Sequence, residues 1–124
     1  MKEGEKSLYL KSILCVEDNK DTCEMLSIVF SEYEFVSADN LKKAFSLIEK
    51  RDFDLYILDN WLPDGSGIEL CRKIRAANGK VPIIFVSGVG YEKDIVEATG
   101  AGANKYLVKP CEPELIEKIV KELI

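Results

Sequence analysis

Five short apolar runs alternate with helical patterns along the 124 residues of this chain. The runs predict strands at residues 12–16, 34–38, 54–58, 81–86 and 105–108. After each run, apolar residues recur at positions i, i+3, i+4 and i+7, as in helices that bury one face, although residues 91–99 carry this pattern weakly. Strands and helices that alternate with short connections predict one α/β domain, with helices on both faces of a parallel sheet.

The composition argues against two classes of function. A formal net charge of −5 disfavours a nucleic-acid groove, which needs a clustered positive face. No apolar run approaches the roughly 20 residues of a membrane-spanning helix. The charged leader at residues 1–11 lacks the apolar core of a signal peptide. We therefore predict a cytoplasmic domain at residues 12–124 that contacts neither membrane nor nucleic acid directly.

The chain contains no histidine, which removes serine–histidine and cysteine–histidine nucleophile pairs from consideration. Its four cysteines lie far apart, without the paired spacing of a zinc site. We interpret them as small, mostly buried apolar residues in a reducing compartment.

Polar side chains suited to one chemistry follow four of the five predicted strands. Glu17 and Asp18 follow the first, Asp59 the third, Ser87 the fourth and Lys109 the fifth. The carboxyl ends of parallel strands lie along one edge of a sheet, so these side chains can meet. If the strand order is 2-1-3-4-5, the first and third strands are neighbours, and a crevice opens between them.

Three carboxylates in one crevice repel one another unless something positive binds there. Hard oxygen ligands select a hard cation, and Mg²⁺ suits a site of one or two carboxylates and phosphate oxygens. Metal, ammonium and hydroxyl groups together are what phosphoryl transfer requires. A carboxylate can itself form an aspartyl-phosphate, and Asp59 is the best candidate because it stands alone at the central strand end.

Each of these residues also has an ordinary structural interpretation. Asp59 could cap the turn at residues 63–65, and Glu17 with Asp18 could favour a helix start. Ser87 and Lys109, taken singly, are ordinary strand-end and surface residues. Their occurrence together, each at its own strand end, favours a shared site.

The motifs at residues 16–19, 58–67, 86–88 and 101–110 carry a resemblance that extends over residues 12–124. In this order and spacing they resemble the receiver domain of two-component response regulators. The resemblance implies a flavodoxin-like, doubly wound, five-stranded parallel sheet of order 2-1-3-4-5 with five helices. It also implies a signalling switch that catalyses its own phosphorylation and dephosphorylation, and not a metabolic enzyme.

The resemblance further implies a role for each residue of the phosphorylation site. Asp59 would accept a phosphoryl group from a histidine kinase or a histidine phosphotransfer protein. Asp18, Asp59 and the backbone carbonyl of Trp61 would hold Mg²⁺, with Glu17 acting through a water. Lys109 would contact the phosphate, positioned by a cis bond before the proline at 110.

Two further residues would form the switch that the resemblance implies. Ser87 would move to bond the phosphate, and Tyr106 would rotate inward behind it.

Two positions depart from the usual pattern. Asn60 stands where a hydrophobic residue is commoner, and Trp61 is unusually bulky, which predicts a long-lived phosphoryl state if the indole shields it from water.

Other interpretations remain beside this one. A haloacid-dehalogenase type of phosphatase needs a second acid two residues after its nucleophile, where this chain has Trp61. The glycine pairs at residues 88–90 and 100–102 do not complete a dinucleotide-binding fingerprint. The stronger alternative is a receiver-like adaptor that binds its partner regardless of phosphorylation.

The output of the domain is the least constrained part of the prediction. The chain is either a stand-alone receiver or one module of a longer protein. The signal would leave through an effector protein, a phosphorelay or a homodimer. The resemblance implies that it leaves at the surface of the fourth helix, fifth strand and last helix. Ile116, Val120 and Ile124 supply more apolar area than one buried face needs, and we expect them to favour the dimer.

Overall fold

The computed structural model describes residues 10–124, and the labels β1 to β5 below count the strands of its main sheet. These strands are β1 (Ser12–Val16), β2 (Glu34–Ala38), β3 (Leu55–Leu58), β4 (Ile83–Ser87) and β5 (Lys105–Val108). All neighbours pair in parallel, in the order β2-β1-β3-β4-β5. The predicted flavodoxin-like order is confirmed. Residues 1–9 of the predicted leader lie outside the described residues.

Five helices connect and follow these strands. They are α1 (Lys20–Val29), α2 (Leu41–Lys50), α3 (Gly67–Ala77), α4 (Glu92–Gly100) and α5 (Pro113–Leu123). The side chains of Asn19, Asn40 and Ser66 each accept a hydrogen bond from a first-turn N–H of α1, α2 and α3. Such caps satisfy donors that the helix leaves unpaired, and each contributes about 1 kcal/mol.

Alternating strand residues divide the core into two apolar layers. Leu14, Leu58 and Phe85 point into the layer covered by α2, α3 and α4. Ile13 and Ile57 point into the opposite layer, covered by α1 and α5. Because both faces of the central strands are buried, these strands are almost entirely apolar, as parallel sheets require. Each fully buried aliphatic side chain contributes about 1.5–3 kcal/mol.

The structure differs from the sequence prediction at short elements and at helix faces. A two-residue antiparallel hairpin, Trp61–Leu62 with Gly65–Ser66, follows β3 and was not predicted, because so short a pairing leaves no alternation in the sequence. In α1 the spacing predicts one inner face of Thr22, Met25, Leu26 and Val29, of which Leu26 is fully buried and the other three are half-buried. Within residues 10–124, no helix has the length and apolar character needed to cross a membrane.

Candidate active site

The ladder between β1 and β3 brings the three predicted carboxylates together. Val16 lies opposite Leu58 in this ladder, and the backbone N–H of Asp59 donates to the carbonyl of Val16 at 2.9 Å. The residues that follow the two strands therefore share the crevice. One oxygen each from Glu17, Asp18 and Asp59 lies within 4.8 Å of the others.

Lys109 reaches the same crevice from the edge strand β5. Its backbone N–H donates to the carbonyl of Ser87 at 2.8 Å, which fixes the chain beside the end of β4. Its ammonium donates to Glu17 Oε1 at 2.5 Å and to Asp59 Oδ2 at 3.3 Å. The peptide bond between Lys109 and Pro110 is cis, as the resemblance implied.

The electrostatics of the crevice show that one ammonium does not balance its acids. Burial raises the pKa of Glu17 to about 7, and a hydrogen bond with Asp59 adds to the rise, although Lys109 opposes it. Burial by itself would lower the pKa of Lys109, but its bonds to the two carboxylates outweigh burial and raise it. The site therefore favours uptake of additional positive charge, a proton or a metal ion.

The donor set of the crevice suits a hard cation such as Mg²⁺. Glu17 and Asp59 are buried, whereas Asp18 is exposed to solvent, so the cluster has an open side. Mg²⁺ keeps several waters and uses few protein oxygens, and this arrangement leaves room for both. The N–H of Trp61 donates to Asp59 Oδ1 at 3.3 Å, which helps to orient that carboxylate. Metal binding by the carbonyl of Trp61 stays a prediction.

The predicted switch residues meet at the loop that follows β4. Ser87 is fully buried, and its Oγ accepts a hydrogen bond from the N–H of Val89 at 3.3 Å. The hydroxyl of Tyr106 donates to the carbonyl of the same Val89 at 2.5 Å. The ring of Tyr106 stacks on Phe85, with 5.5 Å between centroids and 10° between planes. Ser87 and Tyr106 are therefore linked through one loop residue.

Three further residues shape the site in ways that the sequence analysis did not assign. Asn60 is only 2% exposed and hydrogen-bonds through its side chain to Ser66 and Tyr106. Gly67 lies so close to Asp59 that an added Cβ would stand 2.1 Å from the Asp59 carbonyl oxygen. Asp64, which lies in the predicted turn at residues 63–65, accepts hydrogen bonds from two N–H groups at the start of α2. The sequence signal that could have identified Asn60 as a residue of the site is its polar side chain, which closely follows the apolar run of β3.

Known proteins show the same pattern of sequence and fold. The family model described as response regulator receiver domain matches residues 13–121. The transcriptional regulatory protein CusR of Escherichia coli K12 is 40% identical over 100 residues, which are 79% of this chain and 44% of CusR. The chain spans 44–50% of the length of CusR and two other regulators that it matches.

Solved structures agree with this family. A two-component response regulator from Clostridium difficile superposes with a TM-score of 0.86 at 30% identity, covering 91% of this chain and 94% of the other. The beryllofluoride-activated NtrC4 receiver domain superposes with a TM-score of 0.85 at 28% identity, covering 92% and 96%. Together with the five-stranded order and the acidic crevice, these matches show that the chain belongs to the response regulator receiver domain family of two-component systems.

Proposed function

We propose that this domain accepts a phosphoryl group on Asp59, in a Mg²⁺-dependent transfer from the phosphohistidine of a histidine kinase or a histidine phosphotransfer protein. The observation that carries the proposal is the crevice itself. Asp59 is buried there among two further carboxylates and bonded to the ammonium of Lys109. Such a carboxylate is held in one orientation and sits beside groups that stabilise a phosphoryl oxygen.

The residues of the crevice have separate tasks in this transfer. A carboxylate oxygen of Asp59 forms the new bond to phosphorus, while the bond from phosphorus to the donor imidazole breaks and the imidazole leaves. Lys109 neutralises charge on the phosphoryl oxygens, to which its ammonium can turn from Asp59 Oδ2. Mg²⁺, held by Asp18, Asp59 and the carbonyl of Trp61 with Glu17 acting through a water, would supply further charge neutralisation.

Phosphorylation would reach the rest of the molecule through the loop at residues 87–90. A phosphoryl group on Asp59 attracts the hydroxyl of Ser87, which then loses its contact with the N–H of Val89. Since the carbonyl of Val89 holds Tyr106, a shift of this loop changes the position of the tyrosine as well. A charge change of about −1.5 to −2 at one residue thus biases a two-state element.

The apolar residues available at the predicted output surface differ from those expected from the sequence. Ile116 and Val120 of α5 are buried in the core, and Ile124 is half-buried against the same core. The expectation that these three residues supply a dimer interface was therefore wrong for Ile116 and Val120. The exposed apolar residues of the α4, β5 and α5 face are Tyr91, Val96, Val108 and Leu115. We propose that an effector protein or a second copy of the domain binds here. The activated NtrC4 receiver domain is a dimer, which supports the second copy. A phosphorylated form that sediments as a monomer at high concentration would contradict it.

Trp61 gives a prediction about the lifetime of the phosphoryl group. Its side chain is 65% exposed, at the position two residues after Asp59. A bulky indole there can fold over the phosphoryl group and hinder the approach of water. We expect Trp61→Ala to raise the dephosphorylation rate several-fold, measured by loss of mass after the phosphodonor is removed. An unchanged rate would show that Trp61 does not shield the group.

The experiment that tests the proposed function uses acetyl phosphate as a small phosphodonor. Incubated with acetyl phosphate and Mg²⁺, the protein should gain the mass of one phosphoryl group, and hydroxylamine should remove it, as expected of an acyl phosphate. Chelation of the metal should prevent the gain. Absence of a gain would instead support the adaptor that binds its partner regardless of phosphorylation.

A further inference from the structure

Asn60 forms part of a continuous chain of hydrogen bonds that ends at Tyr106. The N–H of Ile68 donates to Ser66 Oγ at 3.1 Å, and this hydroxyl donates to Asn60 Oδ1 at 2.6 Å. Asn60 Nδ2 donates to Tyr106 Oη at 3.4 Å, and Tyr106 donates to the carbonyl of Val89 at 2.5 Å. This series of hydrogen bonds therefore connects the first turn of α3 to the loop that follows β4.

The direction of this chain fixes the orientation of the Asn60 amide. Ser66 Oγ accepts from the N–H of Ile68 and donates its own proton to Oδ1 of Asn60. The amide nitrogen is then left to face Tyr106, whose hydroxyl can accept it while donating to Val89. A side chain with both an acceptor and a donor satisfies both neighbours, and a hydrophobic side chain would satisfy neither.

Burial makes these bonds costly to lose. Asn60 is 2% exposed, and an amide group left without partners in such an environment is strongly disfavoured. Linked bonds in a buried chain also polarise one another. Tyr106 is half-buried: its hydroxyl is held by Asn60 and Val89, and its ring stacks on Phe85. This position of the side chain is called inward below. The side chain of Asp59 takes no part in these contacts.

We propose that Asn60 is a positioning residue that holds Tyr106 inward, so that the inward conformation does not depend on a phosphoryl group at Asp59. This inference rests on the proposed function, because it concerns the switch of the same site. Asn60 thereby sets the resting balance between the two positions of the tyrosine. Phosphorylation then acts on a domain in which Tyr106 already favours the inward position.

The test measures the exposure of the Tyr106 ring in solution. Tyrosine labelled with ¹³C in the ring gives one signal per residue, and Tyr106→Phe assigns the signal of interest. A soluble paramagnetic agent broadens the signals of exposed rings. We expect Asn60→Leu to lower the ratio of inward to outward Tyr106 about fivefold, the factor that one net hydrogen bond provides. The broadening of the Tyr106 signal should rise, while that of the buried Tyr56 ring stays constant.

A second variant and a double-mutant cycle keep the inference testable even if Asn60→Leu folds poorly. Ser66→Ala removes the donor that orients the Asn60 amide and should shift Tyr106 in the same direction. Asn60→Leu should also destabilise the folded protein less in a Tyr106→Phe background than in the wild type. An unchanged Tyr106 signal in both single variants, or strictly additive effects in the cycle, would overturn the inference. Mass gain from acetyl phosphate, measured on the same wild-type sample, separates this failure from failure of the proposed function.

Discussion

Asp59→Asn is expected to abolish the mass gain that acetyl phosphate and Mg²⁺ produce in the wild-type protein. The amide has nearly the same shape as the carboxylate but lacks the negative oxygen that attacks phosphorus. Asparagine can still accept a hydrogen bond from Lys109, so the fold should survive, as circular dichroism can verify. Intact-protein mass spectrometry over the period in which the wild type is fully modified measures the effect.

The matched control for this variant is Asp52→Asn. Asp52 is exposed and lies at the opposite end of the sheet, just before β3. Asp52→Asn makes the same change of charge and size as Asp59→Asn. This control should take up the phosphoryl group as fast as the wild type. If Asp59→Asn retained the full gain of mass, the acceptor would be another residue and the assigned role of Asp59 would be wrong.

Gly67→Ala is expected to destabilise the protein by about 2–4 kcal/mol, the range of a severe overpacking change. The new Cβ would stand 2.1 Å from the Asp59 carbonyl oxygen and 3.3 Å from the ring of Phe85. The N–H of Gly67 also donates to the carbonyl of Asn60 at 2.8 Å, so α3 and the acceptor segment cannot separate without losing that bond. Urea denaturation gives the loss of unfolding free energy.

Gly79→Ala provides the matched control, because an added Cβ at that position has no heavy atom within 4 Å. We expect its effect to stay within about 0.5 kcal/mol, as for ordinary surface changes. Gly67→Ala should also slow phosphorylation, since relief of the clash moves the backbone of Asp59. Equal stability of the two variants would show that the close approach at Gly67 is not a constraint on the site.

The alternating strands and helices were predictable because the sequence repeats their patterns five times, whereas the strand order 2-1-3-4-5 came from the resemblance to receiver domains. Parallel strands buried on both faces must be apolar throughout, and the helices must show one apolar face each. The convergence of Asp59, Glu17 and Lys109 followed from the same reasoning, because all carboxyl strand ends lie at one edge. The strands at residues 12–16, 34–38 and 105–108 have the bounds that were predicted.

What the sequence did not reveal depends on contacts between distant residues. The capping of α2 by Asp64 joins residues 23 positions apart, and the bond from Asn60 to Tyr106 joins residues 46 apart. Neither has a local pattern. The burial of Ile116 and Val120 was misjudged because the apolar positions of a helix do not show how many of them the sheet will bury. These are properties of packing, which spacing along the chain does not encode.

A calorimetric titration of Mg²⁺ into the wild-type protein and Asp18→Asn tests the central claim most directly. The crevice holds three carboxylates against one ammonium, so we expect the wild type to bind one Mg²⁺ per chain. Asp18→Asn should bind more weakly by roughly tenfold or more, because it removes one carboxylate charge from the exposed side of the site. Two unit charges about 4 Å apart interact with about 1 kcal/mol in water and about 4 kcal/mol near a protein surface, and roughly 1.4 kcal/mol is a factor of ten. The account would be contradicted if the wild type took up no Mg²⁺, or if both proteins bound it equally well.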